Sequence, residues 1–210
     1  MATRIVVLLS GSGTTLQNLI DRIEAGTLDV QITGVVSSRA AAFGLERAHR
    51  HGIPTACVVR REQPSAEAAQ QALWGHIRGF GADLVVLAGY MSLLHVPEDY
   101  ENRIINVHPS LIPAFCGKGM YGHHVHEAVL AYGAKVTGAT VHFVDEHYDN
   151  GPIITQQAVP VLEDDTPDTL AARVQATERE IYPQAIALIA AGRLRIEGRR
   201  VHILAAGAAG

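Results

Sequence analysis

Apolar residues fall into five short runs through the first half of the chain, at 4–9, 30–36, 53–59, 84–88 and 104–107. Several are too uniformly apolar to face water on either side, which predicts strands of a parallel sheet covered on both faces. Between them the spacing turns helical. One helix is predicted from Thr14 to Glu24, a second from Ala40 to His51 with Gly52 closing it, and a third from Ser65 to Phe80. The third opens on Ser65 as N-cap, with Glu67 nearby, and closes at Gly81. Alternation of strand and helix implies right-handed crossovers. The expected class is therefore α/β, a Rossmann-like open, mostly parallel twisted sheet with helices on both faces.

The second half changes character. Val136 to Val144 and Ile153 to Val161 are β-rich runs joined by a turn-rich loop, Asp145 to Pro152, and form either a hairpin or two separated strands. His126 and Glu127 open a helix through Val129, Leu130 and Tyr132. A long helix follows Thr166 as N-cap, with Pro167 at its first position and Asp168 in its first turn. Pro183 is expected to kink or split it. The tail from Arg193 to Leu204 can add a small ribbon before Ala-Ala-Gly-Ala-Ala-Gly, where fraying is expected. The chain is read as one domain over 1–192 with a short extension over 193–210, without internal repeats or a linker.

At 210 residues, 48% hydrophobic and 18% charged, with a formal net charge of −4, the chain has ample core. It has no general electrostatic pull toward nucleic acid or anionic membranes. The first apolar run, Ile5 to Leu9, is too short for a signal segment or a membrane span. Two isolated cysteines, Cys57 and Cys116, argue for a reducing compartment, the cytoplasm by default.

The most informative stretch is Asn106-Val107-His108-Pro109-Ser110-Leu111-Ile112-Pro113. Asn106 and His108 share one face of a strand at its carboxyl end, the edge where α/β sheets bind ligands. Pro109 and Pro113 fix a rigid loop beyond them. An amide and an imidazole aimed at one point can stabilise an oxyanion and manage a proton. The bland alternative is a turn-capping Asn and a half-buried His satisfied by backbone. The second candidate is Ser10-Gly11-Ser12-Gly13-Thr14-Thr15-Leu16, whose glycines, hydroxyls and helix N–H groups make a cradle for a phosphomonoester. Leu16 replaces the third glycine of a dinucleotide fingerprint, no ribose-binding acid follows Ser37-Ser38-Arg39, and the P-loop lysine is missing. His123, His124 and His126 cluster, with His108, His142 and His147 as conceivable neighbours, but their spacing fits no zinc pattern. Asp145, Asp149 and Gly151 lack calcium-loop spacing. No metal is expected.

Six motifs then occur in one order: Ser-Gly-Ser-Gly-Thr-Thr-Leu-Gln at 10–17, Val-Leu-Ala-Gly-Tyr-Met at 86–91, Asn-Val-His-Pro-Ser-Leu-Ile-Pro at 106–113, Gly-Lys-Gly-Met-Tyr-Gly at 117–122, Thr-Gly-Ala-Thr-Val-His-Phe-Val at 137–144, and Asp-Asn-Gly-Pro-Ile-Ile at 149–154. In this order the chain, from about residue 4 to about 190, resembles the phosphoribosylglycinamide formyltransferase family. The resemblance implies the formyltransferase fold and transfer of a formyl group from 10-formyltetrahydrofolate to the amine of glycinamide ribonucleotide, in purine synthesis. It implies Asn106, His108 and Asp149 as catalytic residues, and Gly11, Ser12, Gly13, Thr14 and Thr15 as the phosphoribosyl loop. Met91, Ser92, Leu93 and Leu94, with Asn106, would form the folate pocket, and Glu178 would hold the substrate's ribose or amide. Two positions depart from the pattern. Ala66 stands where the family often has a folate-contacting arginine, so that Arg60 or Arg61 substitutes or the contact is absent, and Cys116 stands where the family often has a proline.

On this reading His108 is an imidazolium donor to the oxyanion, Asn106 adds a neutral hydrogen bond, and Asp149 favours the charged ring. The partners are small molecules, with no nucleic acid and no membrane, and a homodimer is left open. Two other readings compete. One is another folate formyl enzyme, such as a formyltetrahydrofolate hydrolase or a methionyl-tRNA formyltransferase. The other is a non-catalytic nucleotide-binding module, which would not require Asn106, His108 and Asp149 together.

Overall fold

The computed structural model describes residues 2–205, and the chain divides into two compact units, Met1–Ile105 and Asn106–Gly210. The first alternates as its apolar runs predict: β1 (Thr3–Leu9), α1 (Thr14–Glu24), β2 (Val30–Ser37), α2 (Phe43–Arg50), β3 (Thr55–Cys57), α3 (Ala66–Gly79) and β4 (Leu84–Leu87). Its strands lie in the order β3-β2-β1-β4. The β1–β2, β1–β4 and β2–β3 ladders are all parallel. Ile5 to Leu9 are fully buried, as are Val35, Val36, Val85 and Val86, so the unbroken apolar runs are the two-sided core that parallel strands require.

Local chemistry sets the ends. Ser65 Oγ caps α3 by accepting from the Ala68 N–H at 3.1 Å, and Gly52 and Gly81 end α2 and α3 in the left-handed conformation. Two bounds differ from expectation. Helix α2 begins at Phe43 rather than Ala40, because Ala42 is extended and serves as N-cap. Strand β3 is shorter than 53–59: it lies at the sheet edge, and Pro54 can only accept there, from the Val35 N–H.

Strand β5 (Ile104–His108) leads into the second unit, followed by α4 (His123–Tyr132), β6 (Val136–Phe143), β7 (Ile153–Pro160), α5 (Pro167–Ala190), β8 (Leu194–Glu197) and β9 (Arg200–Ile203). The order is β5-β6-β7-β9-β8. Strands β6 and β7 form an antiparallel hairpin, which settles the alternative left open by the sequence. Strands β8 and β9 are the expected ribbon. The expected fraying of the terminal Ala-Ala-Gly-Ala-Ala-Gly falls, from residue 206 on, outside the described residues.

Helix α4 starts at His123, three residues before the expected His126, directly after Gly122. Helix α5 has the expected Thr166 cap, with Thr166 and Thr169 exchanging side-chain and backbone hydrogen bonds. It is one helix through Pro183, not two. A proline inside a helix costs about 3 kcal/mol or more. Val174, Ile181, Tyr182, Ala185 and Ile186 are all buried to either side, and each buried large side chain returns about 1.5–3 kcal/mol. Packing outweighs the lost bond.

Candidate functional site

In the first unit, β1 delivers Ser10 and the glycine loop to the start of α1. Gly13 is the N-cap, at φ 71°, and among the described residues no side chain caps the helix, which leaves its first N–H groups without a side-chain cap. The loop is braced from behind. Gly11 O accepts from the Gly44 N–H at 3.0 Å, and Ser12 O accepts from Arg47 Nε at 2.9 Å. The two glycines differ. A Cβ on Gly13 would come 2.5 Å from Gly44 Cα and would be forced into left-handed backbone, whereas a Cβ on Gly11 meets nothing within 4 Å. Gly13 is required by the fold, and Gly11 borders open space. Thr14 and Thr15 form the first turn of α1.

The segment 88–95 is pinned to the same frame. The Met91 N–H donates to Ser10 Oγ at 2.8 Å, Gln70 Nε2 donates to Leu93 O at 2.8 Å, and Trp74 Nε1 donates to His95 O at 3.0 Å. Leu94 is buried, while Met91 and Leu93 are exposed, at 46% and 60%, and Ser92 is half-buried. Two bare apolar side chains on a braced segment form a surface suited to a flat aromatic ligand. Arg60 and Arg61 lie exposed in a short helical turn, Arg60–Glu62, ahead of α3, whose first residue is Ala66.

In the second unit, β5 places Asn106 and His108 two residues apart, as strand periodicity requires. His108 is buried, and its Nε2 lies 2.9 Å from Phe115 O. To that extent the bland alternative of a backbone-satisfied histidine is correct. Its Nδ1, however, lies 3.5 Å from Asp149 Oδ2. Asp149 comes from the loop after β6, at φ 51°, and its Oδ2 accepts from the Gly117 N–H at 2.9 Å. Gly151 follows it because a Cβ there would run into the Phe143 carbonyl.

Sequence reasoning missed one participant. His142, buried on β6, donates from Nδ1 to Phe143 O at 2.7 Å, and its Nε2 lies 3.4 Å from Asn106 Nδ2 and 3.7 Å from Asp149 Oδ1. Strand β6 is buried on both faces, so its alternation alone did not single out His142. His123, His124 and His147 do not join it. His123 and His124 pair with Asp168 and Glu127 at the surface, and His147 approaches Asp145. Among the described residues no group of three or more His, Cys, Asp or Glu is arranged to hold a metal.

Electrostatics alters the expected role of His108. Burial lowers its pKa below the usual 6.5 and outweighs the opposing pull of Asp149. The resting ring is thus neutral at neutral pH, a base before it is an acid. Asp149 stays ionised: burial opposes this, but the neighbouring His142 side chain and the Gly117 N–H that donates to Oδ2 lower its pKa. His126, buried on α4, is pushed down to about 4 by burial. Glu178, half-buried on α5, is pushed by burial up to about 7, with Arg179 opposing. Cys116 is partly buried, with Sγ near Pro113 O, and burial raises its pKa.

Residues 3–186 match the family model described as formyl transferase. The chain is 40% identical to a phosphoribosylglycinamide formyltransferase of Escherichia coli (strain K12), over 91% of this chain and 89% of that one. It is 38% identical to a chloroplastic protein of the same name from Vigna unguiculata, over 91% of this chain. It spans 62% of that relative's length, and under a fifth of the trifunctional purine biosynthetic proteins it also matches. The crystal structure of glycinamide ribonucleotide transformylase 1 from Symbiobacterium toebii superposes with a TM-score of 0.91 at 48% identity, covering 97% of this chain and 95% of that one.

Proposed function

The chain belongs to the formyl transferase family, and we propose on that premise that it transfers a formyl group from 10-formyltetrahydrofolate to the amine of glycinamide ribonucleotide, a step of purine biosynthesis. The observation that carries this reading is the convergence of Asn106, His108 and Asp149, with His142 beside them, in one cluster whose two histidines are buried. Formyl transfer needs a base for the attacking amine, a donor for the tetrahedral oxyanion and an acid for the departing nitrogen. Neutral His108 accepts the amine proton, ionised Asp149 stabilises the resulting imidazolium, and the ring returns the proton to the leaving folate nitrogen. Asn106 Nδ2 is the oxyanion donor.

Gly11 to Thr15 hold the substrate phosphate at the start of α1. Glu178, readily switched between acid and anion near pH 7, takes the ribose or amide hydrogen bonds. The pterin lies on Met91, Ser92, Leu93 and Leu94, and Asn106 acts on the formyl group. Residues 1–192 act as one formyltransferase domain, in a reducing, cytoplasmic setting that suits two free cysteines. Among the described residues no helix is long and apolar enough to cross a membrane.

The test is to incubate the protein with formyl-folate and glycinamide ribonucleotide and follow folate deformylation. Deformylation that depends on the ribonucleotide supports the transferase; deformylation without it identifies a hydrolase and overturns the reading. The loop has its own test. Gly11→Val fills the open space beside the loop, so ribonucleotide binding by calorimetry should weaken about tenfold or more with Tm and folate binding unchanged. Gly13→Ala should instead lower Tm, because it strains the backbone against Gly44. Equal loss of both ligands in Gly11→Val would mean that the loop is only a turn.

A further inference from the structure

We infer that His108 works through Nδ1, and that Ser110 is a positioning residue that fixes the ring for this by holding the Ala114–Phe115 turn, whose Phe115 carbonyl meets Nε2. The inference rests on the formyl-transfer reading for its chemistry, but its geometry stands apart from it. A carbonyl can only accept, so the 2.9 Å contact to Phe115 O places the proton of the neutral ring on Nε2. Nδ1 is then the lone-pair nitrogen. It faces Asp149 Oδ2 at 3.5 Å, and an ionised carboxylate has no proton to give, so among the described residues no donor is seen to claim it.

The Phe115 carbonyl is not where it is by default. Phe115 sits at φ 50°, a left-handed backbone that a bulky L residue adopts only when its surroundings impose it. Ser110 imposes it. Its side chain is fully buried, and Oγ donates to Ala114 O at 2.6 Å with Phe115 O at 3.3 Å. Ser110 is itself anchored, since its carbonyl accepts from Thr140 Oγ1 at 2.6 Å. Thr140 Oγ1 in turn accepts from the Ile112 N–H at 3.1 Å and from Gln156 Nε2 at 2.9 Å. Two residues further, the Gly117 N–H holds Asp149 Oδ2. One turn, Ala114 to Gly117, therefore orients both the ring and its carboxylate. An imidazole whose far nitrogen is tied to a fixed acceptor has one tautomer, which a base needs if its lone pair is to meet the substrate.

The proton balance follows. As the amine nitrogen bonds to the formyl carbon, the carbonyl π pair moves to oxygen and the nitrogen's proton passes to Nδ1. As the oxygen's pair returns to re-form the carbonyl, the carbon–N10 bond breaks with its electron pair going to N10, which takes the proton back from Nδ1, and the neutral Nε2–H ring is restored.

The test has a spectroscopic arm and a kinetic arm. In protein labelled with 15N-histidine, the His108 signals, assigned by their loss in His108→Asn, should show the neutral Nε2–H tautomer. In Ser110→Ala they should move toward a mixture of tautomers. Turnover of Ser110→Ala should fall about tenfold with both KM values within about twofold of wild type, since misplacing a reacting group costs rate rather than binding. A wild-type Nδ1–H tautomer overturns the inference. So does Ser110→Ala with normal kcat, or a kcat loss equal to its unfolded fraction with the tautomer unmoved. The wild-type spectrum needs neither a folded variant nor any turnover, so failure of the formyl-transfer reading in its own assay remains distinguishable from failure here.

Discussion

His108→Ala should lower kcat by about two to three powers of ten, the range for removing a positioned acid–base group. The side chain touches Phe115 O and approaches Asp149, and both lie in loops rather than in the apolar core. Its removal should leave far-UV circular dichroism and the cooperativity of unfolding unchanged. Asn106→Ala should lose a comparable factor, because an oxyanion donor is worth about 10²–10³ in rate. The substitution also withdraws an N–H from His142 Nε2, which sits 3.4 Å away. The checks are steady-state kinetics for both variants, with the folded fraction measured on the same samples. Loss of activity only in proportion to the unfolded fraction would make the pair a structural strand end.

Asp149→Asn should slow turnover by about a hundredfold. The substitution is nearly silent for the fold. Asparagine tolerates the left-handed backbone that Asp149 adopts, and its amide oxygen can still accept from the Gly117 N–H. What goes is the charge. Burial already holds the His108 pKa below 6.5, and Asp149 is the largest influence raising it. Without the carboxylate the pKa must therefore fall further, and the imidazolium formed during proton transfer loses its counter-charge. An NMR titration of His108 should show a midpoint below that of wild type, with the neutral ring persisting to lower pH. An unmoved midpoint with near-normal kcat would return Asp149 to the ordinary turn that Asp-Asn-Gly describes.

Much of the frame was legible because it is written locally. Apolar-rich runs located β1, β2, β4 and β5, and α1 has the expected bounds. Ser65 and Thr166 cap as serine and threonine before helical periodicity should. The misses are places where distant groups decide. Pro183 does not split α5, because the packing around it outweighs one lost backbone bond. Helix α4 starts at His123, and β3 shrinks because an edge position leaves it a single ladder, to β2.

The candidate site divides in the same way. Asn106 and His108 are two residues apart on one strand, so their shared face follows from periodicity alone, and the glycines of the first turn are visible as letters. Family likeness supplied Asp149. The sequence by itself thus determined the α/β class, the elements and the chemical identities at the sheet edge, since each depends on neighbours within a turn or a strand. Only the tertiary structure decided that His142 stands between Asn106 and Asp149, that a main-chain carbonyl occupies His108 Nε2, and that burial makes the resting ring a neutral base. Those facts belong to contacts across 7 to 36 positions of chain, as from His108 to Phe115 and from Asn106 to His142. A carbonyl has no letter of its own, and desolvation is a property of everything packed around a group rather than of the group itself.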